Sequence, residues 1–455
     1  MSGRRIVIAD YDATWPAQFE REAAAVRDVL GARAFSIDHV GSTSVPGLGA
    51  KPVVDILLVV ADASNEPSYV PQLEAAGYLL CVREPEWYEH RMFNGPRTPI
   101  NLHVFSAGCP EIDRMLAFRD WLRHNRDDRK TYEDLKRDLA QREWQSVDDY
   151  ATAKSAAVSR ILARAEPRID VDLVRELLRE QHKDLSELPL RENLSGWDNK
   201  VFQLGEALAV RLPRRATSAA LVQNEQRWLP ALSRHLPLRT PTPIRVGHPG
   251  PRFQWPWSVV PWLPGDSTFD VAALDMDAFV DALGAFLLAL HRPAPPDAPR
   301  NPWRGVPLRE RTTLLHRDVE RLGSVVDREA VLALWDRVLA AEAWSGPPLW
   351  IHGDLHPGNL LIENGRLSAV VDFGDLTSGD PATDLSVAWM LLPAAHRGRF
   401  RASARPQSDP IDNDTWLRAR GWALALGVAY LANAREDEPL AALGRATIAA
   451  TLDQL

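Results

Sequence analysis

His352-Gly353-Asp354-Leu355-His356-Pro357-Gly358-Asn359, followed by Leu360 to Ile362 and then Val370-Val371-Asp372-Phe373-Gly374, sets two acids and an amide around short apolar runs that read as a strand pair. A loop ahead of a short hairpin can point Asp354 at an acceptor hydroxyl, while Asn359 turns back toward a cation beside Asp372. Phosphoryl transfer asks little covalent chemistry of a protein. It needs metal ions that bridge phosphate oxygens and a carboxylate that orients the attacking hydroxyl. Asp354 is the candidate base. Asp372, opening a turn after a buried strand, is the principal Mg²⁺ candidate because a hard cation prefers anionic oxygen, and Asn359 adds a neutral one.

These residues resemble the catalytic and metal-binding motifs of aminoglycoside phosphotransferases, choline kinases and related small-molecule kinases. The His-Gly-Asp form, in place of the His-Arg-Asp of most protein kinases, points to that branch. The resemblance runs from about Asp170 to Leu455 and implies a bilobal protein-kinase-like fold, with an N-lobe over about 170–263 and a C-lobe over about 264–455. It implies that Asp354 is the catalytic aspartate, that Asn359 and Asp372 bind magnesium, and that His352 shapes the loop. Asp380-Pro381 with Asp384-Leu385 is similar to the segment after the magnesium aspartate, which gives Asp384 a bracing role.

Upstream, Ala209-Val210-Arg211-Leu212-Pro213 ends a hairpin strand, and Glu225 lies in the next helix at a position suited to pairing with Arg211. In the kinase fold that strand normally carries a lysine for the α and β phosphates, held by a helix glutamate. Arginine keeps the charge but not the geometry. No G-x-G-x-x-G loop is present; Ser195-Gly196-Trp197-Asp198-Asn199 takes the corresponding turn, and backbone amides there can cover phosphates. Ser195 and Gly196 therefore join Arg211 and Glu225 as nucleotide-binding candidates, with Val259 to Leu263 as the expected lobe connector. The donor is ATP or GTP, with ATP preferred only as the common donor.

The expected activity is transfer of the γ-phosphate to a hydroxyl of a small molecule. An aminoglycoside or other antibiotic is one candidate acceptor; a metabolic amino sugar or alcohol is the alternative. Outside enzymes, Arg211 and the missing Gly-rich loop motivate a catalytically weak nucleotide-binding sensor, against which the intact Asp354, Asn359 and Asp372 argue. A polycationic acceptor would draw on carboxylates such as Asp270, Asp375, Asp380, Asp409, Asp412 and Asp414.

Near the start, His39-Val40-Gly41-Ser42-Thr43-Ser44-Val45-Pro46-Gly47-Leu48, followed by Lys51-Pro52-Val53-Val54-Asp55-Ile56, resembles the GrpB-like family, whose fold is similar to that of nucleotidyltransferases. The likeness continues through Asn101-Leu102-His103-Val104 and Phe118-Arg119-Asp120-Trp121-Leu122 to about Ala163. An active nucleotidyltransferase holds a triphosphate on Gly-Ser and two metals on acids that alternate along the next strand, with a third acid nearby. Here Gly41, Ser42 and Asp55 are present, but Leu57 occupies the second alternate position, and Asn101 and His103 stand on the later strand, so a two-metal site is incomplete. His39, Ser42, Lys51, His90, Arg91 and His103, around Gly41 and Asp55, offer an anion pocket instead.

The whole is expected to be a two-domain α/β and α+β protein: a nucleotidyltransferase-like GrpB domain over 1–165 and a kinase-like domain over 170–455, linked near Glu166-Pro167-Arg168. A length of 455 residues, with 45% apolar and 25% charged residues, suits more than one packed core and excludes wholesale disorder. The net charge of -8 supplies no global field for nucleic acid. Cys81 and Cys109 are too few for a disulfide framework and are expected to be buried thiols in a reducing compartment. No signal-like run opens the chain, and Gly421 to Ala434 is too short to span a bilayer, so a cytoplasmic protein without membrane or nucleic-acid partners is expected. Its partners are the nucleotide and the small molecule; oligomeric state is not legible. Coarse periodicity predicts a strand at Arg5 to Ala9, a helix through Phe19 to Leu30, strands at Pro52 to Val60, Tyr78 to Val82 and Ile100 to Phe105, and helices over Ile112 to Ala163. Beyond the linker it predicts a helix at Val171 to Leu178, a hairpin about Gly205-Glu206, a helix at Ser218 to Leu236, strand-like Ile244 to Leu263, and helices almost throughout from Ala272.

Overall fold

The structure is a computed structural model that describes residues 6–453 apart from 145–146, 166–167, 193–195, 197, 270–273, 407, 410 and 436–437; at 32, 147, 148 and 151 it describes the backbone alone. The chain divides into two compact units, one of residues 1–204, 210–220 and 246–258, the other of 205–209, 221–245 and 259–455.

In the first unit, β1 (Ser36–Val40), β2 (Val54–Val60), β3 (Leu79–Glu84), β4 (His90–Asn94) and β5 (Ile100–Ser106) form a sheet in the order β1-β2-β5-β4-β3. The central pair β2/β5 is parallel, with Asp55 opposite Asn101 and Leu57 opposite His103. Side chains alternate along a strand. Val54, Ile56, Leu58 and Val60 therefore join Ile100, Leu102 and Val104 in one core, which the helix Trp15–Leu30 covers through Trp15, Ala23, Val26 and Leu30. The polar positions Asp55, Asn101 and His103 belong to the opposite face. A proline in the first turn starts that helix, and Gly31, at φ 55°, stops it.

The charged helical stretch resolves into Pro110–His124, Arg126–Ala140 and Val147–Ala165. Asn125 separates the first two by accepting the Asp128 N–H as an N-cap. Two expectations fail. Among the described residues 6–10 there is only a bridge from Ala9 to Ala50, because Ile6 packs beside Leu139 and Tyr150 rather than in a sheet. Cys81 is exposed and Cys109 only half-buried; β3 is an edge strand, and the alternation turns Cys81 outward.

A second five-stranded sheet, in the order β6-β7-β8-β10-β9, comprises β6 (Leu190–Glu192), β7 (Asn199–Leu204), β8 (Leu208–Pro213), β9 (Arg245–Gly247) and β10 (Trp257–Pro261). Gly205, at φ 59°, makes the predicted hairpin turn. Of the strand-like Ile244 to Leu263, only β9 and β10 pair, since prolines and a glycine interrupt the segment between them.

The second unit buries a large apolar core built on the helices Met276–Leu290, Thr312–Leu322, Arg328–Leu339, Asn413–Asn433 and Pro439–Leu452. Asn413–Asn433 is buried on nearly all faces, as its continuous apolar sequence from Gly421 requires. β13 (Leu360–Glu363) and β14 (Arg366–Val370) form the expected strand pair, with β11 (Asp266–Ser267) beside β13, while the helical expectation from Ala272 is corrected by β12 (Leu349–Ile351), which pairs with β15 (Thr377–Gly379). β12 is too short for any period to reveal, yet it leads directly into His352. Among the described residues no helix is long and apolar enough to cross a membrane.

Candidate active site

Leaving β12, the chain must turn at once, and Gly353 takes φ 88°. A Cβ there would also stand 2.5 Å from the Asp375 carbonyl oxygen, so both conformation and space require glycine in the His-Gly-Asp form. Asp384, fully buried, accepts the backbone N–H groups of His352 (2.8 Å) and Gly353 (2.9 Å), and His291 Nε2 lies 3.1 Å from the same carboxylate. The His352 Nδ1 accepts the Asp354 N–H (3.3 Å), which leaves Nε2–H to donate to the Val371 carbonyl (3.0 Å). The loop is thereby pinned to the chain just before Asp372.

Asn359 donates Nδ2–H to the Asp354 carbonyl (2.9 Å), while its own carbonyl accepts the Val371 N–H (2.9 Å). That places Asn359 next to the Asp372 turn with Oδ1 as the atom it can offer a cation. Asp372 is exposed and adopts φ 59°, ψ 70°, a left-handed conformation uncommon outside glycine, immediately before the turn Phe373–Asp375. Among the described residues no three His, Cys, Asp or Glu side chains cluster tightly enough to hold a metal on their own. Mg²⁺ does not ask for that; it is typically held by one or two carboxylates together with substrate phosphates and water. One carboxylate and one amide oxygen fit such an ion.

Around the Asp354 carboxylate lie His356 of the same motif and two groups, Arg304 and Tyr430, that no spacing in the sequence marks. Arg304 Nη2 (3.1 Å) and Tyr430 Oη (2.9 Å) both donate to Oδ1, and His356 Nε2 stands 3.5 Å from Oδ2. His356 accepts the Gly358 N–H at Nδ1 (3.0 Å), so its proton resides on Nε2, toward Asp354. Arg304 also lies 3.7 Å from Asp375, which accepts a hydrogen bond from Asn301 Nδ2 (2.6 Å). Burial raises the Asp354 carboxyl, but His356, Arg304 and Tyr430 outweigh it and hold the group well below the usual carboxylate range. Burial raises Asp375, and the neighbouring Asp354 adds to it. Tyr430 is raised well above an ordinary phenol by burial and by Asp354. Its hydroxyl, a polar tip in the apolar run that begins at Gly421, is the one hint in the sequence that it meets a partner.

Arg211 is buried in β8 and Glu225 in the helix Ala216–Leu232. Gly196 accepts Arg214 Nη1 at its carbonyl (3.1 Å), and the same turn is anchored by Asp198, whose Oδ1 accepts from Ser218 Oγ (2.7 Å) and Arg215 Nη2 (2.8 Å). Ser195, Asp270, Glu166 and Pro167 lie outside the described residues. Of the described acids expected for an acceptor, only Asp375 is brought beside Asp354. Asp380 is buried in a bidentate pair with Arg418 (2.7 and 3.3 Å), Asp412 caps the helix Asn413–Asn433, Asp409 pairs with Arg405, and Asp414 accepts the Glu342 N–H (3.4 Å). These four are occupied by structure.

In the first unit, the carboxylate of Asp55 accepts Asn101 Nδ2 (2.9 Å) and lies 3.8 Å from His103 Nε2. His103 continues to His90 (3.1 Å) and His90 to Glu84 (2.7 Å). Ser42 Oγ accepts from Lys136 Nζ (2.9 Å), and Lys51 stands half-exposed above the Tyr150 ring. Two predicted members face elsewhere: His39 is stacked under Phe19 and bonded to Thr43 (3.0 Å), with burial and Arg123 pulling it down to about 4, and Arg91 is bound by Glu66 (2.6 Å). Gly41 takes φ 68°, and a Cβ there would overlap Asp55 Oδ2. Gly41→Ala is therefore expected to cost about 2 kcal/mol or more from strain and collision. Thermal melting should show the loss, and adding Asp55→Ala should recover part of it.

A family model described as "Phosphotransferase enzyme family" matches residues 189–422, and one described as "GrpB protein" matches 5–164. UPF0157 protein BH1888 of Halalkalibacterium halodurans is 59% identical over 160 residues, covering 35% of this chain and 82% of its own length. UPF0157 protein SCO7215 of Streptomyces coelicolor is 44% identical over 160 residues, covering 35% and 84%. Among solved structures, the GDP complex of wild-type aminoglycoside 2'-phosphotransferase-IIIa aligns at 18% identity and a TM-score of 0.49, over 62% of this chain and 98% of that one. The chain thus belongs to the phosphotransferase enzyme family, carrying a GrpB-family segment ahead of its phosphotransferase segment.

Proposed function

We propose that the chain is a small-molecule kinase that transfers the γ-phosphate of ATP or GTP to a hydroxyl, through a kinase-like domain over 170–455, with lobes dividing near 263, behind a GrpB-like domain over 1–165. One observation carries it. The loop that fixes Asp354 through Asp384 also ties Asn359 to the Asp354 carbonyl and to Val371, so the base and the cation donors share one frame. In this proposal Asp354 accepts the acceptor hydroxyl's hydrogen bond and orients its oxygen for attack, while His352 and Asp384 hold the loop. Asn359 and Asp372 would hold Mg²⁺, which neutralises phosphate charge when bound. Arg211, Glu225, Ser195 and Gly196 are assigned to the donor nucleotide. In this proposal Asp375 meets a cationic group on the acceptor, which makes an aminoglycoside or another antibiotic the first acceptor to try and an amino sugar or alcohol the next. A cytoplasmic setting supplies the nucleotide and the metal.

The test is Mg²⁺-dependent transfer of labelled γ-phosphate from ATP and GTP to a panel of aminoglycosides, macrolides, amino sugars and metabolic alcohols. Transfer to one class is the expected result. Binding of nucleotide without transfer to any acceptor would reject the catalytic role and leave the sensor reading.

A further inference from the structure

Lys136 is a buried amine that meets no carboxylate within ion-pair distance among the described residues. Its side chain is 2% exposed, and its ammonium donates to Ser42 Oγ and to the Gly49 carbonyl, both neutral, above the ring of Tyr132 at 4.9 Å. Two more lysines stand nearby with the same deficit: Lys154 Nζ is 4.5 Å and Lys51 Nζ 6.0 Å from the centre of the Tyr150 ring. Among the described residues, none of the three pairs with a carboxylate within ion-pair distance. Burial and the field of Lys154 pull Lys136 down to about 7, while burial and Lys51 lower Lys154. Two acids act on the cluster through their fields, Glu133 on Lys136 and Asp55 on both Lys136 and Lys154, and Asp55 Oδ1 is already engaged by Asn101 and His103.

Burying charge is costly unless it is paired, so a cluster of this kind is expected to be completed by something the chain does not supply. The chemistry of the lining narrows the choice. Ammonium groups and a serine hydroxyl suit the multiple acceptor oxygens of a tetrahedral dianion. The loop that carries Ser42 leaves β1 through Gly41, whose positive φ holds the turn against β2.

We infer that Lys51, Lys136 and Lys154, with Ser42, bind the phosphate group of a small phosphorylated molecule, whose two negative charges complete the cluster. This site is independent of Asp354 and of the acceptor chemistry. No metal is part of it.

The test uses the full-length chain in EDTA, so that Mg²⁺-dependent nucleotide binding does not contribute, with inorganic phosphate, pyrophosphate and AMP as separate titrants at constant ionic strength. Calorimetry is expected to detect at least one of them, and the same titrant is expected to raise the melting temperature, as any ligand selective for the native state must. Lys154→Met and Lys51→Met alter half-exposed side chains and should keep the fold while weakening binding about tenfold or more. Lys136→Met should abolish the ligand-induced melting shift if it folds; the other two variants decide the matter if it does not. A response to inorganic phosphate or pyrophosphate would identify the bare anion as sufficient, and a response to AMP alone that Lys154→Met removes would identify an ester. Absence of binding by all three titrants at millimolar concentration, or binding unchanged in both Lys154→Met and Lys51→Met, would overturn the inference. Asp372→Ala serves as the control and should leave this binding intact.

Discussion

Asp354→Asn is expected to lower the rate of phosphoryl transfer by about 10²–10⁴-fold while sparing nucleotide affinity. An asparagine has the same shape. Its carbonyl can take the place of Oδ1 and still accept from Arg304 and Tyr430, so the pocket should remain assembled. What disappears is the negative charge, together with the anionic Oδ2 that faces His356. Arg304 keeps a second acid within 3.7 Å at Asp375, which limits the cost of its lost partner. If Asp354 acts mainly in the transition state, kcat and kcat/KM should fall together, with little change in nucleotide Kd by calorimetry. Unchanged turnover against the identified acceptor would remove Asp354 from the mechanism.

The largest stability effect is expected at Arg418. Its side chain is 5% exposed and that of Asp380 4%, and the two meet through a bidentate contact. Arg418 also donates to the Glu342 carbonyl and to Thr415 Oγ1 (3.1 Å), so one residue joins three segments of the second unit. Arg418→Ala leaves the Asp380 carboxylate buried and uncompensated, at an expected cost of about 3–5 kcal/mol. A drop in melting temperature of roughly 10 °C or more follows for a unit of this size. The double replacement Arg418→Met with Asp380→Leu removes both charges and should recover much of the loss, because two apolar side chains of similar volume need no counter-ion. A single-variant loss under about 1 kcal/mol would mean that the pair behaves as an exposed one.

Asp380 also shows where reading a sequence falls short. As one acid among several in a loop-rich stretch, it looked as available to a cationic acceptor as Asp375 did. Burial separates them: Asp380 faces Arg418 in the core, while Asp375 sits beside Arg304 and Asp354. Cys81 is a similar case, since only the order of strands makes β3 an edge and exposes the thiol. In both, residue type sets the chemistry available and packing decides whether it is used.

By itself the sequence determined the elements and the local constellation: the helix Trp15–Leu30 with its glycine stop, the β2 and β5 strands, and the loop in which His352, Gly353, Asp354 and Asn359 precede Asp372. These rest on periodicity, φ preferences and hydrogen bonds between near neighbours, such as the Asp354 N–H to His352 and the Asn359 amide to the Asp354 carbonyl, which any short segment carries with it. Tertiary structure alone decided which distant groups complete each site. Arg304 and Tyr430 reach Asp354 across 50 and 76 residues, and Lys136 reaches Ser42 across 94. No spacing rule spans such distances, because those partners are chosen by how whole helices pack, and a buried charge accepts whichever oppositely charged or hydrogen-bonding group that packing delivers.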